Sequence, residues 1–88
     1  MILTLPKHIT LTEVDNQMVL LDMQAGQYFG VNHTGANFLK FIQKNGDLEL
    51  AINAVADLYK TEYEQTKDDI NSLVTQLLEQ KLLKNADE

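Results

Sequence analysis

The stretch "LLDMQAGQYFGVNHTGANFLKFI", Leu20 to Ile42, changes its hydrophobic period in the middle. Up to Val31 it reads as strand, tight turn and strand. Beyond Thr34 the apolar residues Ala36, Phe38, Leu39 and Ile42 recur at the three- and four-residue spacing of a helix. The chain must therefore set a small sheet directly against a helix, with an aromatic pair, Tyr28 and Phe29, on the short strand that precedes the junction.

The flanking segments extend the same pattern. "HITLTEVD" alternates Ile9, Leu11 and, after a slip, Val14 with polar residues, and Asp15-Asn16 gives a turn before "MVLLD". Gly26 supplies the positive φ that the second hairpin loop needs, so "QYFGV" is a third strand of an antiparallel meander. Thr34 is the expected N-cap of the first helix and Asn45-Gly46 its stop. Asp47 caps a second helix whose Leu48, Ala51, Ile52, Val55, Ala56 and Tyr59 share one stripe. "KTEYEQTK" is polar and reads as a loop. Asp68-Asp69 then opens a third helix over about residues 68–81, with Ile70, Leu73, Val74, Leu77 and Leu78 as its apolar stripe. Leu82 and Leu83 form a short packed extension before an acidic tail expected to fray. The order is β-β-β-α-α-α: an α+β fold, with a three-stranded antiparallel sheet followed by three helices, in a single domain over 1–88.

Composition removes several functions. With no cysteine among the 88 residues, disulfide scaffolds, thiol nucleophiles and thiolate zinc sites are excluded, and a cytoplasmic location is expected. The opening "MILTLPKHIT" is broken by Pro6 and Lys7, so neither an export signal nor a membrane anchor is expected. His8 and His33 are isolated, and no metal or cofactor is expected. Ser72 is the sole serine and lacks a nucleophile elbow, while phosphate- and dinucleotide-binding loops are absent; the chain is not expected to be an enzyme. Asn32-His33-Thr34 matches the glycosylation pattern but reads as a strand-to-helix turn.

The run from Leu20 to Ile42, followed by "GDLELAINAVADLY" and "DDINSLVTQLLEQKLL", resembles the PqqD-like family, the leader-binding domains also called RiPP recognition elements. The resemblance rests on Leu21 and Asp22 closing the second strand, on Gly26, Tyr28, Phe29 and Asn32, on Gly46 between helices, and on Asp69 and Ile70 in the third helix. It implies a winged-helix-like fold that binds the leader segment of a ribosomally made precursor peptide. The leader would add as a strand to the edge of the third strand and lie against the third helix, for delivery to a leader peptidase or other modifying enzyme. A free-standing chain of this length looks most like the leader-recognition proteins of lasso-peptide pathways; PqqD proper, of quinone-cofactor synthesis, is the near alternative.

Physical reasoning leads to the same candidate site, because strand addition draws affinity from main-chain hydrogen bonds and specificity from pockets for alternate side chains. Gln27, Phe29 and Val31 share one face of the third strand, and Tyr28 and Gly30 the other. Phe29 and Val31 are assigned to the core, Tyr28 to a more exposed position, and Gly30 to close backbone approach. On the third helix Asp69, Ser72, Leu73, Gln76 and Leu77 lie on adjoining ridges and complete the expected peptide-binding set. Plainer roles stand beside these: the aromatics as core residues, and Asp68 and Asp69 as helix caps.

A winged-helix outline also suits a nucleic-acid-binding regulator, and a structural subunit of a larger enzyme is a third class. Charge separates the first two. The net charge is -6, and every one of the seven cations is a lysine, so the arginines that dominate guanine and phosphate recognition are missing. A polyanion repels such a surface. The expected outcome is no mobility shift of duplex DNA at physiological salt; a sequence-specific complex that weakens steeply with salt would restore the regulator.

Overall fold

The computed structural model describes residues 1–87. Its elements are β1 (Leu3–Thr4), β2 (Ile9–Val14), β3 (Gln17–Asp22), β4 (Gln27–Val31), α1 (His33–Lys44), α2 (Leu48–Tyr59), α3 (Tyr63–Glu79) and β5 (Lys84–Asn85). The first to third strands expected from sequence are β2, β3 and β4, an antiparallel sheet in that spatial order. The architecture is the α+β arrangement of meander followed by three helices.

Two turns fix the meander. Asp15 and Asn16 both take positive φ, 51° and 67°, as a two-residue type I′ hairpin loop requires, and Val14 pairs with Gln17 across it. At the second turn Gly26 sits at φ 69°. The Asp22 carboxylate accepts the N–H groups of Gln24 and Ala25, each at 3.0 Å, which holds the loop from its first residue. The helix-facing side of the sheet carries Ile9, Leu11, Leu20 and Phe29, and buries Leu20 completely against Phe38, Leu39 and Ile42 of α1.

The first helix is capped by Asn32, whose side-chain oxygen accepts the Gly35 N–H at 2.8 Å. Thr34, the cap expected from sequence, instead lies half-buried within the first turn; the amide side chain of Asn32, one step outside the helix, reaches the free N–H first. Asp47 caps α2 as expected, accepting the Leu50 N–H at 3.0 Å.

The third helix begins at Tyr63, five residues before the expected start at Asp68, and ends at Glu79. Two interactions explain the extension. Tyr63 packs against the core and its hydroxyl donates to the Glu49 carboxylate on α2. Thr66 is buried, with its hydroxyl 2.6 Å from that of Thr61. The bond to Glu49, aided by desolvation and by the charges of Glu49 and Glu64, raises the Tyr63 phenol above its usual pKa of 10.0. Its contribution is therefore complete below that pH and is lost only as pH rises through the raised folded value.

A helix stop that sequence did not reveal makes this possible. Past α2, Lys60 adopts a left-handed conformation (φ 55°, ψ 42°), Thr61 N–H donates to the Ala56 carbonyl at 3.0 Å, and Lys60 N–H to that of Asp57 at 3.3 Å. The same closure ends α3: Lys81 has φ 61°, Leu82 N–H donates to the Leu77 carbonyl at 2.9 Å, and Lys81 N–H to that of Leu78 at 3.1 Å. Both are Schellman motifs with lysine where glycine is usual.

After the second, Leu82 and Leu83 are buried and β5 pairs antiparallel with β1, Leu3 opposite Asn85. The tail is thus tied down where fraying was expected: Ala86 N–H donates to the Ile2 carbonyl at 2.8 Å, and the Asp87 carboxylate accepts the Ile2 N–H at 3.1 Å. Glu88 lies outside the described residues. On its other side β1 meets the α1–α2 corner, where Leu3 N–H donates to the Gly46 carbonyl at 2.8 Å. Gly46 has φ 86°, and a Cβ there would lie 3.2 Å from the Leu3 carbonyl oxygen.

The two left-handed lysines give a direct test. A left-handed L-residue costs about 1–2 kcal/mol, and glycine gives back roughly 0.5–1 kcal/mol of this in unfolded-chain entropy. Lys60→Gly and Lys81→Gly should each raise the unfolding free energy by about 0.5–1 kcal/mol in chemical denaturation, with no change in the slope of the transition.

Candidate functional site

The sheet leaves β4 paired on one side only, to β3. Parity decides which of its backbone groups are free. A two-residue loop makes Val14 and Gln17 a hydrogen-bonded pair, and alternation then turns Gln17, Val19 and Leu21 toward β2 and Met18, Leu20 and Asp22 toward β4. The 2.8 Å bond from Met23 N–H to the His8 carbonyl, one step beyond the ladder, has the same parity. On β4 the partners of Met18, Leu20 and Asp22 are Val31, Phe29 and Gln27. Tyr28 and Gly30 accordingly direct their N–H and C=O groups away from the sheet, at an open edge.

That edge borders a groove of about 440 Å³ running between β4 and α3. Phe29, Gly30 and Val31 line one wall. Asp69, Ser72, Leu73 and Gln76, at i, i+3, i+4 and i+7 on α3, line the other, with Ile70 below them. Asn32, Thr34 and Gly35 close one end. Gly35 is buried there for a reason of space: a Cβ would lie 3.1 Å from Leu73 Cδ2 and 3.2 Å from the capping oxygen of Asn32. The floor is apolar, and Asp69 is the single charged residue among those lining the groove.

Seven of the ten residues expected at the site line this groove: Phe29, Gly30, Val31, Asp69, Ser72, Leu73 and Gln76. Leu77 does not. It is 0% exposed and belongs to the core, because its ridge turns under the groove. Gln27 is exposed at the hairpin end of β4, its backbone committed to Asp22 of β3, and Tyr28 projects from the opposite face of the sheet, 73% exposed, and meets the open edge through its backbone alone. Phe29 and Val31, assigned to the core from sequence, are half-buried, packed against the core on one side and open to the groove on the other. Asp68 and Asp69 cap nothing, since α3 already starts at Tyr63. Asn32, Thr34, Gly35 and Ile70 line the groove without having been expected there; the abrupt passage from strand to helix at Asn32 was the available signal for the first three.

Among the described residues no group of three or more His, Asp or Glu side chains could hold a metal ion. No helix among them is long and apolar enough to cross a membrane.

A meander whose β4 edge is set across a groove from the third of three helices defines a winged-helix-like α+β domain with an accessible strand edge. The chain belongs to the PqqD family: the model of that family, described as coenzyme PQQ synthesis protein D (PqqD), matches residues 17–83. Two solved structures share the fold. One, TbiB1 in complex with the TbiA(beta) leader peptide, is 21% identical with a TM-score of 0.80, over 92% of this chain and 94% of that one. The other, a lasso peptide synthetase B1 complexed with the leader peptide, is 26% identical with a TM-score of 0.81, over 94% of this chain and 98% of that one. No curated protein matches the sequence significantly.

The position of the two aromatics predicts different losses. Phe38 is 0% exposed, and Phe38→Ala should cost about 3–5 kcal/mol, enough to unfold much of so small a protein. Phe29→Ala removes a side chain already half open to the groove, and should cost about half as much. Urea denaturation of the two variants should therefore give a folded Phe29→Ala protein beside a largely unfolded Phe38→Ala protein.

Proposed function

We propose that the protein, acting as one domain in the cytoplasm and without catalysis of its own, binds the leader segment of a ribosomally synthesised precursor peptide. The leader adds as a strand to β4, lies against α3, and is so presented to a leader peptidase or other modifying enzyme. The observation that carries this reading is the open edge of β4 beside an apolar-floored groove. Membership of the PqqD family supports it, as do two structural neighbours solved with leader peptides bound.

Each feature has a task in this mechanism. The free N–H and C=O groups of Tyr28 and Gly30 give a peptide of any sequence an antiparallel or parallel ladder to complete. Specificity comes from the alternate side chains that point into the groove, onto Phe29, Val31 and Leu73. Ser72 and Gln76 offer hydrogen bonds at the rim. The wall is rigid where it matters, since Leu73 is held by Gly35 and Ile70 is buried, so little ordering cost falls on the protein at binding. A duplex is a poor alternative ligand for α3, whose four carboxylates, Glu64, Asp68, Asp69 and Glu79, face a single lysine, Lys67.

Strand addition is tested at one backbone atom. A Cβ at Gly30 meets nothing within 4 Å, so Gly30→Ala keeps both the fold and the edge N–H. Gly30→Pro removes that N–H on the side where an edge strand tolerates proline, and its ring obstructs an incoming backbone. With the leader of a precursor encoded beside its gene, Gly30→Ala should bind within about threefold of the parent. Gly30→Pro should bind more than about tenfold weaker, or at least 1.4 kcal/mol, while melting as a folded protein. Equal binding by a folded Gly30→Pro variant would rule out strand addition to β4.

A further inference from the structure

At the closed end of the groove, Thr34 and Asp69 are shared with a second cavity, a recess of about 90 Å³ between α2 and α3. Its walls are built and largely committed. Val55 is 1% exposed and Thr66 5%. The Thr66 hydroxyl is taken by Thr61 at 2.6 Å, and the Tyr59 hydroxyl accepts the Asn37 amide at 2.7 Å. What remains uncommitted in the lining is the apolar surface of Val55 and Tyr59, the Thr34 hydroxyl, the Gln65 amide and the Asp69 carboxylate.

Asp69 has no structural use for its charge. It lies in the interior of α3, where aspartate is a poor helix former, and the helix start at Tyr63 removes the capping role its neighbours in sequence suggested. Every other residue lining the groove or the recess is uncharged. The volume suits the end of a long side chain and is too small for a strand or an aromatic ring. An alkyl stem against Val55 and Tyr59, ending in a cation on Asp69, satisfies the floor, the size and the charge together. The protein's net charge of -6 acts in the same sense.

We propose that this recess receives a lysine or arginine side chain of the peptide bound in the groove, at a fixed spacing beyond the residue seated over Val31. The proposal rests on the peptide-binding reading above, and its test separates the two. Random linear peptides displayed in a library are selected against the immobilised parent and against Asp69→Asn, an exposed substitution that should leave the melting temperature unchanged. Peptides from the parent should share an apolar residue and, at constant spacing, Lys or Arg; those from Asp69→Asn should lose the basic position. A parent-selected peptide should bind Asp69→Asn about tenfold more weakly. Replacing its basic residue by methionine should cost as much on the parent and almost nothing on the variant. Peptides that shift the Phe29–Val31 amides but show no fixed basic position, or that bind both proteins equally, overturn the recess and leave leader binding standing. If no selected peptide perturbs β4, both readings fall.

Discussion

The two-residue turn at Asp15–Asn16 sets the parity of the whole sheet. Because Val14 and Gln17 close it as a hydrogen-bonded pair, every later residue of β3 is committed to bonding either β2 or β4, and β4 inherits the complementary choice. That choice leaves Tyr28 and Gly30 with free backbone groups and simultaneously points Phe29 and Val31 toward the helices. One residue more or less in the turn would exchange both sets, burying polar groups and exposing the apolar face. The edge and the groove floor are therefore a single consequence of one turn, held by residues tolerant of positive φ.

The sequence made the sheet, the helix stripes and the Asp47 cap legible because these depend on local periodicity and short-range chemistry. What stayed hidden was non-local or chemically disguised. Lys60 and Lys81 terminate helices in a conformation usually signalled by glycine, so periodicity alone puts α3 at about 68–81 rather than at Tyr63–Glu79. Each stop is closed by backbone bonds to the last turn, and the chain beyond it is buried, at Thr66 within α3 in one case and at Leu82 and Leu83 in the other. The β1–β5 pair has two residues in each strand, and no pattern so short can be distinguished from coil. Leu77 and Leu73 differ by one turn of helix, yet the former is core and the latter groove wall; periodicity places both on the apolar stripe and cannot say where the stripe leaves the core.

Core and groove share side chains rather than occupying separate regions. Phe29, Val31 and Leu73 each bury one side against the hydrophobic core while presenting the other to the groove. The groove floor thereby gains the rigidity of a packed interior, which restricts its freedom to adapt. The terminal clasp of β1 and β5 lies outside the span matched by the family model, 17–83, whereas both walls of the groove lie within it. The clasp braces the α1–α2 corner through Gly46, beyond the end of α1 opposite to the one that borders the groove.

An open strand edge beside an apolar groove invites a second copy of the same chain as readily as any other peptide, since main-chain hydrogen bonding is indifferent to sequence. Three features act against self-association. The strand is five residues long. The groove faces α3 across β4, so a partner must fit between strand and helix. The charge of -6 makes each copy repel the next. That same charge lowers the cost of approach for a basic segment and raises it for an acidic one. On the proposal that the recess takes a basic side chain, selectivity against self-pairing and selectivity for a cationic peptide would have one physical origin, with Asp69 converting the general field into a local contact at the end of the groove.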